Sequence, residues 1–101
     1  MIQHKTVGEW VRDHLLEVGE DYAHHMHTEY KAFILAVSRK RNPHISSYQA
    51  FRTLLWTLKK LGLVEPTRRE KGHGLSRRQY YRVSGDPNDP GWRNPTKTLY
   101  G

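Results

Sequence analysis

The chain has 101 residues and a mass of 11.9 kDa, which is enough for one domain with one modest core and too short for a second core. Seventeen Lys and Arg against ten Asp and Glu give a net charge of +7 with His neutral, which favours a polyanionic partner without separating DNA, RNA and anionic membrane. The absence of cysteine excludes disulfides, thiolate metal sites and cysteine nucleophiles.

The first predicted helix begins behind Thr6. Thr6 and Glu9 have the spacing of a capping box, in which a hydroxyl and a carboxylate satisfy free backbone amides at the start of a helix. Apolar residues at spacings of three and four predict one buried stripe, and Gly19 is the expected end of the helix. The stripe consists of Val7, Trp10, Val11, His14, Leu15 and Val18.

A histidine-rich link and a second helix are expected next. Residues 21–27 are predicted to be irregular, so that Thr28 would cap the second helix. Because the residue before Pro43 is disfavoured in helical geometry, this helix should end within residues 38–42, and residues 42–45 should form a turn. Its shared face would hold Tyr30, Phe33, Ile34 and Val37.

The third predicted helix spans residues 46–61. Ser46 and Gln49 repeat the capping-box spacing at its start, and Gly62 followed by apolar Leu63 fits a left-handed helix end. At 100° per residue, one side of this helix is apolar and holds Phe51, Leu54, Leu55 and Leu58. The side facing away holds Gln49, Arg52, Thr53, Trp56 and Lys60.

Two strands and a tail complete the predicted elements. Residues 63–66 and 79–83 are short, rich in branched and aromatic side chains, and enclose a basic linker with two glycines, which predicts a β-hairpin. Residues 85–101 are rich in Pro, Gly, Asp and Asn, so we expect an extended C-terminal tail there and no further element. Trp92, Leu99 and Tyr100 are unusual for a disordered tail, and we expect them to dock on their own domain or on a partner subunit.

This order of helices and hairpin, with a third helix that leads into Leu61-Gly62-Leu63-Val64, resembles a winged helix-turn-helix domain. It is similar to the bacterial and archaeal transcription regulators of the MarR and PadR kind over about residues 6–84, most specifically over residues 46–66. The resemblance implies a mostly α fold of three helices plus a small β-hairpin, with one DNA-binding domain over residues 1–84. It also implies a recognition helix over residues 46–61 in the major groove and a basic wing over residues 67–78 on the backbone or in the minor groove.

The distribution of charge supports a nucleic-acid partner independently of the resemblance. Residues 1–38 hold three basic and six acidic side chains, whereas residues 39–82 hold twelve basic and two acidic ones. A concentrated basic segment is what contact with a phosphate backbone requires. A basic face kept only for solubility does not require such segregation.

The candidate DNA-binding residues form three groups. The start and the polar side of the third helix offer amide, guanidinium and hydroxyl groups that can read base edges, namely Ser46, Ser47, Tyr48, Gln49, Arg52, Thr53, Trp56 and Lys60. The end of the second helix would contact flanking phosphates, or compensate the helix dipole, through Arg39, Lys40 and Arg41. The wing would contact backbone or minor groove through Arg68, Arg69, Lys71, Arg77 and Arg78.

Some of these residues have a structural alternative. Ser46 and Gln49 would otherwise only cap the helix, and Arg52 and Lys60 would otherwise be ordinary solvated residues. An exposed Trp leaves a large apolar area in water, so Trp56 would otherwise be covered by the tail or by a second subunit.

Five histidines raise the hypothesis of a metal site or a pH switch, because imidazole binds transition metals and titrates near neutrality. They are His4, His14, His24, His25 and His27. Adjacent histidines point in different directions and no cysteine assists, so we predict no metal site and no cofactor. His14 is expected to be a hydrogen-bonded core residue. Without a glycine-rich phosphate loop or a nucleophile elbow, we expect neither an enzyme nor a small-molecule substrate.

We therefore expect a small sequence-specific transcriptional regulator that binds double-stranded DNA, as a monomer or a homodimer. One alternative is binding of RNA or single strands through Tyr48, Trp56, Tyr80 and Tyr81. Another is a protein-interaction role for Trp56 and the tail. Nowhere do eighteen apolar residues follow one another, so we expect no membrane partner and a cytoplasmic location, nucleoid-associated in a cell.

Overall fold

The chain forms both helices and strands in the computed structural model, which describes residues 5–38, 41, 43–71 and 77–101 and, for Lys71 and Arg77, the backbone alone. The helices are α1 (Val7–Val18), α2 (Ala23–Val37), α3 (Tyr48–Lys60) and α4 (Pro95–Tyr100). The strands are β1 (Asp21–Tyr22), β2 (Val64–Lys71) and β3 (Arg77–Val83), and a 3₁₀ turn spans Pro90–Trp92. The fold of this described part is a mixture of α and β, with one helix and one strand more than expected.

α1 begins and ends as predicted. The Thr6 hydroxyl accepts a hydrogen bond from the Glu9 amide, and the Glu9 carboxylate accepts one from the Thr6 amide at 3.0 Å, which completes the capping box. Gly19 follows the helix with a φ of 89°, a conformation that a residue without a Cβ adopts readily. Trp10, Val11 and Leu15 are buried as expected, whereas Val18 at the end of the predicted stripe is exposed.

The prediction of an irregular link over residues 21–27 is wrong. Asp21 and Tyr22 form β1, and α2 starts directly behind them at Ala23 rather than behind Thr28. The Thr28 hydroxyl donates to the His24 carbonyl one turn earlier, as a threonine inside a helix does. A strand of two residues is too short to produce a periodic pattern in the sequence. β1 is recognised only from its pairing with another strand in the folded chain.

α3 begins one residue later than the predicted capping box requires. Ser47 and not Ser46 is the N-cap, since the Ser47 hydroxyl accepts a hydrogen bond from the Ala50 amide at 3.1 Å. The predicted pairing of Ser46 with Gln49 is therefore wrong. The helix ends as predicted: Gly62 has a φ of 76°, and the Leu63 amide donates to the Leu58 carbonyl, which is a Schellman motif.

β2 and β3 form an antiparallel hairpin whose strands are longer than predicted. Val64 pairs with Val83 at one end and Lys71 with Arg77 at the other, so most of the residues assigned to a basic loop lie in strands. β1 pairs with the other side of β3, giving the strand order β1-β3-β2. β2 is thus an edge strand, which explains why it tolerates Pro66.

The prediction of an extended C-terminal tail is also wrong. The segment contains the 3₁₀ turn and α4, and Trp92 is completely buried. The indole N–H of Trp92 donates to the Asp86 carbonyl at 2.8 Å, so this large side chain is buried without an unsatisfied donor. The expected docking takes place on the chain's own domain, where Gly91 lies against Leu61 and Leu63.

One hydrophobic core joins the helices, the sheet and the C-terminal segment. It consists of Trp10, Val11, Leu15, Met26, Tyr30, Phe51, Leu55, Leu58, Leu63, Val64 and Trp92. Because α3 contributes three of these residues from its apolar side, its polar side necessarily faces solvent. The core thereby determines which side chains of α3 are available to a partner.

Candidate nucleic-acid interface

The exposed side of α3 holds the polar residues that the helical period of the sequence predicts. Gln49, Arg52, Thr53, Trp56 and Lys60 are all exposed, and Trp56 keeps 48% of its surface in contact with solvent. The C-terminal segment therefore does not cover Trp56, which was one of the two alternatives for this residue. Amide, guanidinium, hydroxyl and ammonium groups line one exposed helix face.

Two cations on this face lie over aromatic rings. The Arg52 guanidinium carbon is 5.9 Å from the centre of the Tyr48 ring, and the Lys60 ammonium nitrogen is 5.4 Å from the centre of the Trp56 ring. Both distances permit a weak cation–π attraction. Within the described part of the chain, no carboxylate lies within 4.0 Å of either cation. These two positive charges are therefore available to an anionic partner.

The start of α3 is anchored to α2 by a buried histidine. His27 lies within hydrogen-bond distance of the Ser46 carbonyl oxygen, 2.7 Å from Nε2, and its ring centre is 5.5 Å from that of Phe51. Ser46 is half-buried, and Ser47 caps the helix with its hydroxyl. The backbone carbonyl of Ser46 and the side chain of Ser47 thus have structural roles in the folded chain.

The outer surface of the sheet carries interleaved tyrosines and arginines, which we call the Tyr–Arg layer: Tyr22, Arg68, Arg78 and Tyr80. The Arg68 guanidinium carbon is 4.0 Å from the Tyr80 ring centre, and that of Arg78 is 4.8 Å from the Tyr22 ring centre. The two tyrosine rings meet edge to face at 5.2 Å. Sequence reasoning missed Tyr22, because its place in the layer depends on the pairing of β1 with β3.

Arg68 is neutralised within this layer, which the sequence did not reveal. Its Nε donates to Glu20 at 2.6 Å and its Nη1 donates to Glu70 at 2.7 Å. The hydrogen bond to Glu20 raises the pKa of Arg68, and the same bond lowers the pKa of Glu20. Desolvation and a hydrogen bond to Glu70 raise the pKa of Tyr80. The sequence showed only Glu70 among the basic residues of the hairpin, whereas Glu20 comes from a distant part of the chain.

The other arginines of the hairpin are not neutralised in this way. Arg69 donates from Nε to the Gln79 side-chain oxygen at 2.9 Å. Among the described residues, no carboxylate lies within 4.0 Å of the Arg69 or Arg78 guanidinium groups. The predicted contacts of Arg39 and Lys40 lie outside the described residues, as do the side chains of Lys71 and Arg77, and Arg41 is exposed.

The three neighbouring histidines of α2 point to different partners. The ring of His24 lies 5.8 Å from that of Tyr48, whereas His27 contacts Ser46. His25 instead lies within hydrogen-bond distance of the Asp21 carboxylate. His14 is half-buried and forms a hydrogen bond with the same carboxylate, so it is hydrogen-bonded as predicted. His4 lies outside the described residues. The tertiary structure thus brings His14 and His25 together and keeps His24 and His27 apart from them.

In comparisons with known proteins, no family model, curated protein or solved structure matches this chain. None of the helices in the described residues has both the length and the apolar character needed to cross a membrane.

Proposed function

We propose that this chain is a winged helix-turn-helix protein that binds double-stranded DNA as a small sequence-specific transcriptional regulator. The observation that carries the proposal is the exposed face of α3, on which Gln49, Arg52 and Lys60 stand opposite a side packed into the core. An α-helix can enter the major groove, and amide and guanidinium groups distinguish adenine and guanine there. α3 has 13 residues. Such a helix is about 20 Å long, enough to reach several base pairs.

The order of elements supports the winged-helix part of the proposal. α2 precedes α3 and packs against it through His27 and Phe51. The hairpin follows α3 directly, because the Schellman end at Gly62 turns the chain into β2. The hairpin is therefore tied to the carboxyl end of the helix that would enter the groove, as a wing would be.

The hairpin would position the protein rather than read sequence. Arg69 and Arg78 lack a carboxylate partner among the described residues, so both guanidinium groups can contact phosphates. Arg68 would contribute less, because it already contacts Glu20 and Glu70. Contacts to phosphates place a protein on the duplex, whereas contacts to base edges select the site.

The geometry of the Tyr–Arg layer favours duplex DNA over single strands. Proteins that bind single strands offer open aromatic faces on which bases stack. In this layer a guanidinium group lies over Tyr80 and another over Tyr22, so a base would have to displace an arginine from each ring. The layer is therefore a poor stacking platform in its present arrangement.

The proposal is tested by selecting bound oligonucleotides from a random duplex pool and measuring affinities by fluorescence anisotropy. We expect an enriched motif, and Arg52→Ala should weaken binding to it by about 1–3 kcal/mol and relax selection at one base pair. Arg93→Ala is the matched control, because it removes one exposed arginine that is not on α3. Arg93 belongs to the C-terminal segment and lies near Glu9 of α1. Footprinting then counts half-sites, since a homodimer protects two of them about one helical turn apart.

The proposal fails if the selection yields no motif, or if single strands of the same sequence bind more tightly than the duplex. Equal losses in Arg52→Ala and Arg93→Ala would also contradict it, because they would show that total charge and not the α3 face drives binding.

A further inference from the structure

Asp21 is a buried carboxylate shared by two histidines from different helices. Its Oδ2 lies 2.7 Å from His14 Nε2 and 2.5 Å from His25 Nδ1, and the side chain is 7% exposed. Its Oδ1 accepts a hydrogen bond from the Tyr22 amide at 2.8 Å. Potential ligand atoms from the three residues all lie within 4.8 Å of one another. α1, β1 and α2 thus each contribute one nitrogen or oxygen ligand to a single point.

We propose that His14, Asp21 and His25 bind one Zn²⁺ ion. Two imidazole nitrogens and one carboxylate oxygen are three of the four ligands of a tetrahedral zinc site, and water supplies the fourth. Imidazole favours zinc and other late transition metals over Mg²⁺ and Ca²⁺, which prefer sites made of oxygen alone. The chemistry of the three donors therefore selects a zinc-like ion.

The distances require only a local adjustment to accept the ion. Ligand atoms of a tetrahedral zinc site lie about 3.3 Å apart, from zinc–ligand distances of about 2.0–2.1 Å. His14 is held by stacking on Trp10, with ring centres 4.8 Å apart and planes 10° apart, and Asp21 is held by its pairing with Tyr81 in the sheet. His25 has 46% of its side chain exposed, so its ring can move to open the site.

A second carboxylate lies beside the outer nitrogen of His25. Glu29 Oε1 lies 3.5 Å from His25 Nε2, one turn further along α2. A metal-binding histidine commonly donates its other ring N–H to a carboxylate, which leaves the remaining nitrogen free for the metal. When the ion replaces the proton between His25 Nδ1 and Asp21, a proton on Nε2 would face Glu29.

An acidic cleft lies beside the proposed site. A cleft of about 480 Å³ between α1 and α2 is lined by His14 and by three carboxylates, those of Asp13, Glu17 and Glu29. Lys5 also lines the cleft, and Asp13 is paired with Lys5 and with Arg12, so Glu17 and Glu29 are the acidic groups left for a cation. Residues 1–38, which contain the whole site, hold six acidic and three basic side chains. The cleft thus places acidic side chains beside His14, one of the three proposed ligands.

The proposal departs from the prediction that the chain has no metal site. That prediction considered neighbouring histidines in the sequence, which do diverge. The site instead joins His14 and His25, and it is formed only when β1 places Asp21 between them. It stands independently of DNA binding.

The full chain, freed of metal with a chelator, is titrated with Zn²⁺ by calorimetry and with Co²⁺ by visible absorption. We expect one high-affinity equivalent, a tetrahedral Co²⁺ spectrum and a rise in thermal stability on saturation. Long-range ¹H–¹⁵N spectra should show coordination through Nε2 of His14 and Nδ1 of His25. Coordination through any other pair of histidines would overturn the proposal.

His25→Ala is the decisive variant, because this residue is the most exposed of the three ligands and its loss should leave the fold intact. It should weaken Zn²⁺ binding by more than about a hundredfold, because loss of an outer partner alone already costs about 10–100-fold. His24→Ala is the matched control, one residue away on the same helix and outside the site. Absence of a zinc equivalent at micromolar concentration, or equal affinity in the wild type and His25→Ala, would show that the cluster is only a hydrogen-bonded part of the fold.

Discussion

Gly8 lies against the backbone of Trp92 so closely that a Cβ on Gly8 would come within 1.9 Å of the Trp92 carbonyl oxygen. The Thr6 hydroxyl lies 3.5 Å from the same oxygen. This contact joins the first turn of α1 to the 3₁₀ turn in the C-terminal segment. The absence of a side chain at Gly8 is therefore what allows the two distant parts of the chain to pack.

Gly8→Ala should destabilise the protein by about 2 kcal/mol, because the added methyl group forces α1 and the 3₁₀ turn apart. Helix propensity alone would change stability in the opposite direction, since alanine favours a helix over glycine by about 1 kcal/mol. The sign of the effect, measured by urea unfolding, thus separates packing from propensity. Ala32→Gly, at an exposed position inside α2, calibrates the propensity effect. A variant at Gly8 more stable than the wild type would contradict the close contact.

Trp92→Ala should cost about 3–5 kcal/mol of unfolding free energy, because it removes a completely buried indole ring from the core. In a domain of this size such a loss leaves little net stability. Tyr100→Ala is the control in the same segment, since Tyr100 is 70% exposed and its loss should change stability by about 0.5 kcal/mol or less.

Truncation after Ser84 removes Trp92 together with the rest of the C-terminal segment and should prevent folding. Cooperative unfolding of the truncated chain at wild-type stability would show that the segment is dispensable.

Glu9 should make the stability of the protein depend on pH. The hydrogen bond from the Thr6 amide, with a further one from the Thr6 hydroxyl, holds the pKa of Glu9 below its usual value of 4.5. A pKa that is lowered in the folded state adds stability above the unfolded-state pKa, and this stability is lost as the pH falls through the lower, folded-state pKa. Glu9→Gln should therefore be less stable than the wild type at pH 7 and approach it near pH 2.

The size of this effect at pH 7 should be about 1 kcal/mol, as for other helix-capping interactions. Thermal unfolding of both proteins between pH 2 and pH 7 measures it. Glu17→Gln removes one negative charge from an exposed position of the same helix and serves as the control. If the stabilities of Glu9→Gln and the wild type differ equally at pH 2 and pH 7, ionisation of Glu9 is not the cause.

The proposed DNA contacts should differ between Arg68 and Arg78. Arg78→Ala should weaken binding to all duplexes alike and reduce the slope of affinity against salt by about one, as expected for one lost phosphate contact. Arg68→Ala should have a smaller effect, because Glu20 and Glu70 already bind its guanidinium group.

Glu20→Gln should strengthen duplex binding, because it removes one of the two negative charges that compensate Arg68. Anisotropy titrations at several salt concentrations measure all three. Equal effects of Arg68→Ala and Arg78→Ala would mean that the ion pairs open on DNA.

Much of the candidate interface could be predicted from local pattern. The exposed face of α3, with Arg52 and Lys60, follows from a helical period that needs only residues within a few turns of one another. The neutralisation of Arg68 could not be predicted in this way, because Glu20 is 48 residues distant in the chain. The same holds for Tyr22, which enters the Tyr–Arg layer only through the pairing of two strands that are far apart in sequence.

The amino-acid sequence alone determined where the long helices begin or end at Thr6, Gly19 and Gly62, and which side of α3 is polar, because backbone caps and helical periods depend on nearest neighbours along the chain. Only the tertiary structure decided that Trp92 completes the core and that Asp21 brings two histidines together. Trp92 packs on elements tens of residues away, whereas Asp21 meets two nearby histidines only because α1, β1 and α2 pack together. The free energy that selects both arrangements comes from burying surfaces that no short segment can bury by itself.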